Sequence, residues 1–348
     1  GDVAVDEGNF ARYTVALSGV LQGGETATIN LALADVSTNS LDYGDFATAV
    51  ANAIGSRTDL TFDSGTGLLT YTGDGASMID LVIDFQTNND FLTEGPESYR
   101  VELSSPASTT GANIGVGNNQ VTTVINDDDQ SIWSILGSVS PTEGEGSPVQ
   151  YTVSLSGTLQ AGETATIHLS LTDFTTDSFD HTDVLAAVSA AISSRSDLVF
   201  DTGTGLLTYT GDGSQMADLD IVLLIVDDAF AEGPESFTVD LANPGSTTGA
   251  NIGLGNDQVV TTINDNEIAS WSIEGDPTVA EGDSAQYTIK LSGTLQAGNT
   301  AMVNLSLGDI DTTSADYEVF VIAVSDAIGA RTDLAFVGGL LAYTGDGN

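Results

Sequence analysis

The sequence predicts an all-β protein built of tandem β-sandwiches, each carrying one short helical insert. Three observations predict it. A unit of about 137 residues recurs along the 348-residue chain. Within each unit, short runs rich in Val, Ile, Thr and aromatics alternate apolar with polar and are punctuated by Gly, Asp and Pro, as strands with one buried face require. Hydrophobic residues make up 41% of the chain although 50 acids stand against 6 bases. That is too much apolar surface for a disordered acidic tail.

The repeat is explicit. "YTVALSGVLQGGETATINLAL" at Tyr13 returns as "YTVSLSGTLQAGETATIHLSL" at Tyr151 and as "YTIKLSGTLQAGNTAMVNLSL" at Tyr287. "SRTDLTFDSGTGLLTYTGDG" from Ser56 returns from Ser194 and, with a shorter turn, from Ala330. The segment beginning "EGPES" at Glu94 returns once, from Glu232. Residues 1–129 read as a first repeat without its opening strand, 130–267 as a complete second repeat, and 268–348 as a truncated third. Gly1 falls inside a repeat, so the expectation is a piece of a longer array.

Within the second repeat the strands follow in order. "IWSI" from Ile132, "YTVSLSG" from Tyr151 and "ETATIHLSL" from Glu163 come first. "LLTYTG" from Leu206, "DLDIVLLIV" from Asp218, "SFTVDL" from Ser236 and "QVVTTIN" from Gln258 complete the set. One stretch breaks the two-residue period. Asp183 to Arg195 places Val184, Val188 and Ile192 at helical spacing, with Thr182 or Asp183 as N-cap. Trp133 and Trp271 in the opening strands read as core residues.

A formal charge of −44 repels nucleic acid and anionic membrane, since phosphate binding needs clustered Lys and Arg. No stretch approaches the ~18 apolar residues of a membrane span. The absence of cysteine excludes disulfides, thiol catalysis and Cys-based metal sites. A salt-adapted surface and specific divalent-ion sites both account for the acidity, and the two are compatible.

The positions of the acids separate them. If seven main strands alternate in direction, the loops after the first, third and fifth strands and the end of the seventh share one end of the sandwich. In the second repeat those segments hold Glu143; Asp180 and Asp183; Asp227, Asp228, Glu232 and Glu235; and Asp265 with Glu267. The first repeat offers Glu7, Asp42, Asp90, Glu94, Glu97 and Asp127, Asp128 and Asp129, and the third Glu281 and Asp316. The turns at the other end are mostly small and neutral, with Asp212 an exception. Bare carboxylates in that number would repel strongly. Hard oxygen ligands on loops, without recurring His or Cys, suit Ca²⁺ at six to eight coordination better than Mg²⁺ or zinc.

At these residues the repeat resembles a Calx-β domain. The resemblance rests on the early Glu143-Gly144, on Asp42-Tyr43, on "DDAFAEGPESF" from Asp227 and on "NDDD" from Asn126. It implies an Ig-like, Greek-key sandwich that binds calcium through these loops. Three departures leave the number of ions per repeat open: Asn89 in place of Asp, His181 in place of Tyr, and "NDNE" in place of "NDDD". The long repeat with its helical insert is similar to those of giant bacterial adhesins of the RTX type. That resemblance implies type I secretion to the cell surface and a role as a calcium-rigidified extender. Its partners would be neighbouring repeats, with cell-surface glycan or protein engaged through other domains. The alternatives are repeats that themselves grip glycan or a partner cell, or a subunit of an extracellular filament.

Other chemistry is weakly represented. His168 stands where Asn30 and Asn304 stand in the other repeats and reads as an ordinary strand residue. Arg57, Arg195 and Arg331 follow the helix and read either as C-terminal helix charges or as partners of Asp59, Asp197 and Asp333. No triad or zinc constellation is present. A catalytic carboxylate pair is not expected in every unit of an array, so the chain reads as a non-enzyme.

Overall fold

The computed structural model describes residues 1–144 and 147–348. Alternation drives the strands: Leu219–Ile225 buries every second residue, and Phe10–Val15 does the same in the first repeat. Both faces of each sandwich follow from this two-residue period.

In the second repeat one sheet orders Leu198–Asp201, Leu206–Thr210, Thr164–Asp173, Glu235–Gly245 and Gln258–Ile263. The other orders Leu219–Ile225, Ser147–Ser156, Ser131–Gly137 and Ile252–Leu254. Trp133, Val153 and Ile221 from one sheet share a single core with Leu169, Leu207 and Phe237 from the other. The first repeat copies this plan. Its larger sheet gains Ala4–Asp6, paired parallel to Gln120–Asn126, while its smaller sheet has only Phe10–Val15 and Leu81–Gln86. The predicted opening strand is thus two segments with different partners. The segment at 4–6 is present in the first repeat, and the counterpart of Ser131–Gly137 is not. The third repeat forms a hairpin, Ser270–Gly275 with Tyr287–Ser292, and a three-stranded sheet.

The helical inserts are Phe46–Ile54, Val184–Ala191 and Phe320–Ile328. Asp183 caps the second, its carboxylate accepting from Leu185 N at 2.8 Å, and Val184 and Val188 are its buried face. The helix stops short of the expected Arg195, because Ile192 is already its C-cap and Ser193 and Ser194 turn the chain. Arg57, Arg195 and Arg331 pair with Asp59, Asp197 and Asp333 at 2.6, 2.6 and 2.5 Å. Of the two tryptophans expected in the core, Trp133 is fully buried, whereas Trp271 is only partly so.

Successive repeats meet through short parallel pairings. Leu92–Thr93 pairs with Thr158–Leu159, and Phe230–Ala231 with Thr294–Leu295. The end of one repeat that carries the acids therefore sits on the neutral turns of the next.

Candidate metal centre

The same local geometry builds the acidic end twice. Asp127, at the end of its strand, accepts from the backbone N–H of Glu94 at 2.7 Å and of Asp129 at 2.9 Å. Asp265 does the same for Glu232 and Glu267, at 2.6 and 2.7 Å. Asp90 and Asp228 each hold the N–H two residues on, at 2.7 Å. Asp42 and Asp180 close their turns by accepting from Asn39 N and Asp177 N at 2.5 Å. Glu7 and Glu143 enter on backbone segments bonded to the carbonyls of Asn126 and Asn264. The aspartate carboxylates are thus aimed by backbone hydrogen bonds, and Glu7 and Glu143 are positioned through their own backbone.

Three groups of acids converge, each with oxygens within 4.8 Å of one another: Glu7, Asp127, Asp128 and Asp129; Asp42, Glu94 and Glu97; and Glu143, Asp265 and Glu267. The first and third are the same group in successive repeats. Asp90 lies close enough to Glu7 and Glu94 to raise both their pKa values, and Asp228 and Asp180 do the same to Glu143 and Glu232. Asp227 accepts from the Asn266 amide at 3.1 Å. The departures at Asn89 and in "NDNE" therefore offset each other: Asn89 and Asp128 in one repeat become Asp227 and Asn266 in the other. Glu281 and Asp316 are exposed and belong to no such group among the described residues. The acids of the segments 90–97 and 127–129, which complete the group elsewhere, have no counterpart in the third repeat of this chain.

Among the described residues, no basic side chain pairs with these groups. The six basic residues are all engaged by other acids: Arg12 with Asp84, Arg57 with Asp59, Arg100 with Glu102, Arg195 with Asp197, Lys290 with Glu274, and Arg331 with Asp333. Glu7, Asp42, Glu94 and Glu143 are nevertheless 4–9% exposed. One oxygen on each of Glu7, Glu97, Asp129, Glu143 and Glu267 is buried without any hydrogen-bond partner. An unpaired buried carboxylate oxygen is costly. The cost recurs at equivalent positions, Glu7 with Glu143 and Asp129 with Glu267, so it belongs to the design of the repeat. A hard cation supplied from solution is the partner these oxygens fit.

Protonation is the only other relief available. Burial, then the neighbouring acids, raises Glu7 and Glu143 to about 7 and Glu94 and Glu97 to about 8. Unfolded glutamate titrates near 4.5. Between those values the folded chain binds more protons than the unfolded one, so stability falls as pH rises through that window. In chelator, the melting temperature therefore drops from pH 5 to pH 8. With millimolar calcium the drop disappears, because the metal replaces the protons. A pH series of melting curves with and without chelator checks both statements.

The following repeat helps to build the site, which sequence reasoning missed. Gln160 donates its side-chain amide to Glu94 across the junction. Gly95 meets Thr248 and Gly249 so closely that a Cβ would lie 2.6 Å from the Thr248 carbonyl. At the second junction the equivalent Gly233 has open space, and Glu232 is more exposed than Glu94. Among the described residues, Asp180, Glu232 and Glu235 form no tight group like that of Asp42, Glu94 and Glu97. The signal in the sequence was the recurring Leu-Gln of the neutral turn, Leu159-Gln160 and Leu295-Gln296.

The two histidines take structural roles in this geometry. His181 bonds Asp173 at 2.8 Å and packs on Phe237, just as Tyr317 bonds Asp309 at 2.7 Å and Tyr43 bonds Asp35. His168 follows a strand irregularity and meets the Thr204 carbonyl at 3.1 Å.

No family model matches the chain, and no curated protein sequence matches it. Among solved structures it is similar to CBD12 of CALX1.2, at 16% identity and a TM-score of 0.26, covering 76% of this chain and 96% of that one. It is also similar to the CaCohA2 protein of Clostridium acetobutylicum, at 14% identity and a TM-score of 0.22, covering 39% and 92%. A third likeness is to an elastase-activated α2-macroglobulin of Escherichia coli, at 12% identity and a TM-score of 0.18, covering 88% and 26%.

Proposed function

We propose that the chain is a calcium-binding structural array of a large extracellular bacterial adhesin, acting as a rigid extender that projects adhesive domains from the cell. The observation that carries this reading is the recurrence of buried carboxylate oxygens without a hydrogen-bond partner at the acidic end of the first and second repeats. A bound calcium ion would supply the positive charge that joins these oxygens. Glu7, Asp127 and Asp129 would hold one ion, Asp42, Glu94 and Glu97 another, and Glu143, Asp265 and Glu267 a third. Magnesium keeps its waters and tolerates fewer protein ligands, and zinc prefers N or S donors.

The extender role is supported by the place of these groups. They lie where one repeat lands on the next, with Gln160 and the Thr248–Gly249 turn closing over Glu94 and Gly95. Joining the acids there holds the joint. A location outside the cell, reached through a type I route and with folding where calcium is abundant, is part of this proposal and is supported by the resemblance of the repeat motifs to those of RTX-type adhesins. The repetition of the same carboxylates in the first two repeats supports a structural rather than a catalytic use.

Small-angle scattering on the whole chain tests the extender reading. Calcium is expected to give one well-defined maximum dimension, and chelator a broader, more flexible ensemble. Gly95→Val, which adds a side chain against the Thr248 carbonyl, is expected to loosen the first joint even in calcium. Equal flexibility with and without calcium in the unmodified chain defeats the extender role.

A further inference from the structure

The joint between the first and second repeats is held in register by uncharged contacts. Beyond the pairing of Leu92–Thr93 with Thr158–Leu159, the N–H of Gln160 donates to the Thr93 carbonyl at 3.2 Å. The hydroxyls of Thr93 and Ser131, both buried, meet at 2.9 Å. The Thr248 carbonyl packs against Gly95, where a Cβ would lie 2.6 Å away. These contacts fix the turns of the second repeat over the loop that carries Glu94 and Glu97.

They also bring a charge across the joint. The Thr248 hydroxyl donates to the carboxylate of Glu163, as Thr110 does to Glu25 within the first repeat. With its carbonyl on Gly95 and its hydroxyl on Glu163, Thr248 holds that carboxylate beside the group formed by Asp42, Glu94 and Glu97. Burial first, then Asp42, Glu94 and Glu163, push the Glu97 carboxyl up to about 8. One Glu97 oxygen is enclosed there without a hydrogen-bond partner. Glu163 lies outside the set whose oxygens are within 4.8 Å of one another, so it acts on the site through its charge rather than as a fourth direct ligand. A fourth acid placed against three others is repelled unless a cation joins them. At the second joint the corresponding residue is the neutral Asn299, which bonds Gln296 of its own turn at 3.4 Å.

We propose, on the calcium reading of these acids, that Glu163 sets the calcium affinity of the group Asp42, Glu94 and Glu97, so that each ion site at a joint is tuned by the repeat that follows it. Calcium sites are graded by the number of charges around the ion and by the rigidity of the loops that hold them. One negative charge several ångströms from a divalent ion, partly screened by solvent, changes its affinity about tenfold. Linkage makes the effect reciprocal: an ion bound more tightly in the docked joint also tightens the docking. With Asn299 in the corresponding position, the second joint binds calcium more weakly than it would with an acid there.

The test follows amide signals of the whole isotope-labelled chain through a calcium titration, comparing each joint with its own variant. Glu163→Gln keeps an acceptor for Thr248 and removes the charge, and is expected to raise the calcium midpoint at residues 92–97 about tenfold. Glu163→Asp keeps the charge and is expected to retain most of the affinity. Asn299→Glu is expected to act with the opposite sign, lowering the midpoint at residues 230–235. In molar salt the effect of Glu163→Gln is expected to shrink, because screening weakens the interaction of one charge with another. An unchanged midpoint in Glu163→Gln, or equal losses in the Gln and Asp variants, overturns the proposal and leaves calcium binding standing. Residues 92–97 that ignore calcium in the unmodified chain overturn the calcium reading and the proposal together.

Discussion

Calcium at millimolar concentration raises the melting temperature of the first repeat, which holds two of the acidic groups, by about 15–20 °C over chelator, and magnesium at equal ionic strength raises it far less. The size follows from linkage. An ion at about a hundred times its dissociation constant adds about 2.7 kcal/mol per site. Two sites in one repeat add about 5 kcal/mol, and a domain of this size gains about 4 °C per kcal/mol. The charge-removing variant Glu7→Gln with Asp129→Asn separates this from a general salt effect. It deletes two acids whose buried oxygens have no partner, so the chelated protein becomes more stable while about half of the calcium gain at that repeat disappears. Opposite signs in the two conditions are the expected signature. If the variant is weakened in chelator as in calcium, the acids are held by something other than a metal. Calorimetry on the variant and the parent chain decides it.

The second large effect concerns the core. Trp133→Ala is expected to cost the second repeat about 3–5 kcal/mol, the range for removing a fully buried large aromatic. That is a large share of the ~5–15 kcal/mol that holds a domain together. Trp133 is completely buried between the two sheets, and its indole N–H has no hydrogen-bond partner. Trp133→Phe keeps most of the packing and removes the unpaired donor, so it should cost about 1 kcal/mol or less. A large loss for Ala with a small one for Phe identifies volume as the contribution of Trp133. Equal losses would instead assign it to the indole. Urea unfolding of both variants, followed by amide signals of the second repeat, reads the difference.

Much of this was written in the linear order of residues. The two-residue alternation of Leu219–Ile225 and its kin specified strands, because burying one face of a sheet needs only that period. Asp183 announced its helix, since an N-cap acts on the two or three residues beside it. Even the gathering of Glu7, Asp42, Glu94 and Asp127 at one end followed from strand direction, which alternates along the chain. Local chemistry and parity suffice for such features.

The tertiary structure alone decided how those acids divide into separate groups, and which of their oxygens lose every partner. It gave His181 the contact to Asp173 that Tyr43 makes to Asp35, and it encloses Trp133 completely in the core. It also brought Gln160 and Gly249 of one repeat over Glu94 and Gly95 of the one before. These outcomes depend on inter-strand register and on what the next repeat places against a loop. Both are set by contacts between residues tens to more than a hundred positions apart, where a shift of a few ångströms separates a buried, unpartnered carboxylate from one that water still reaches.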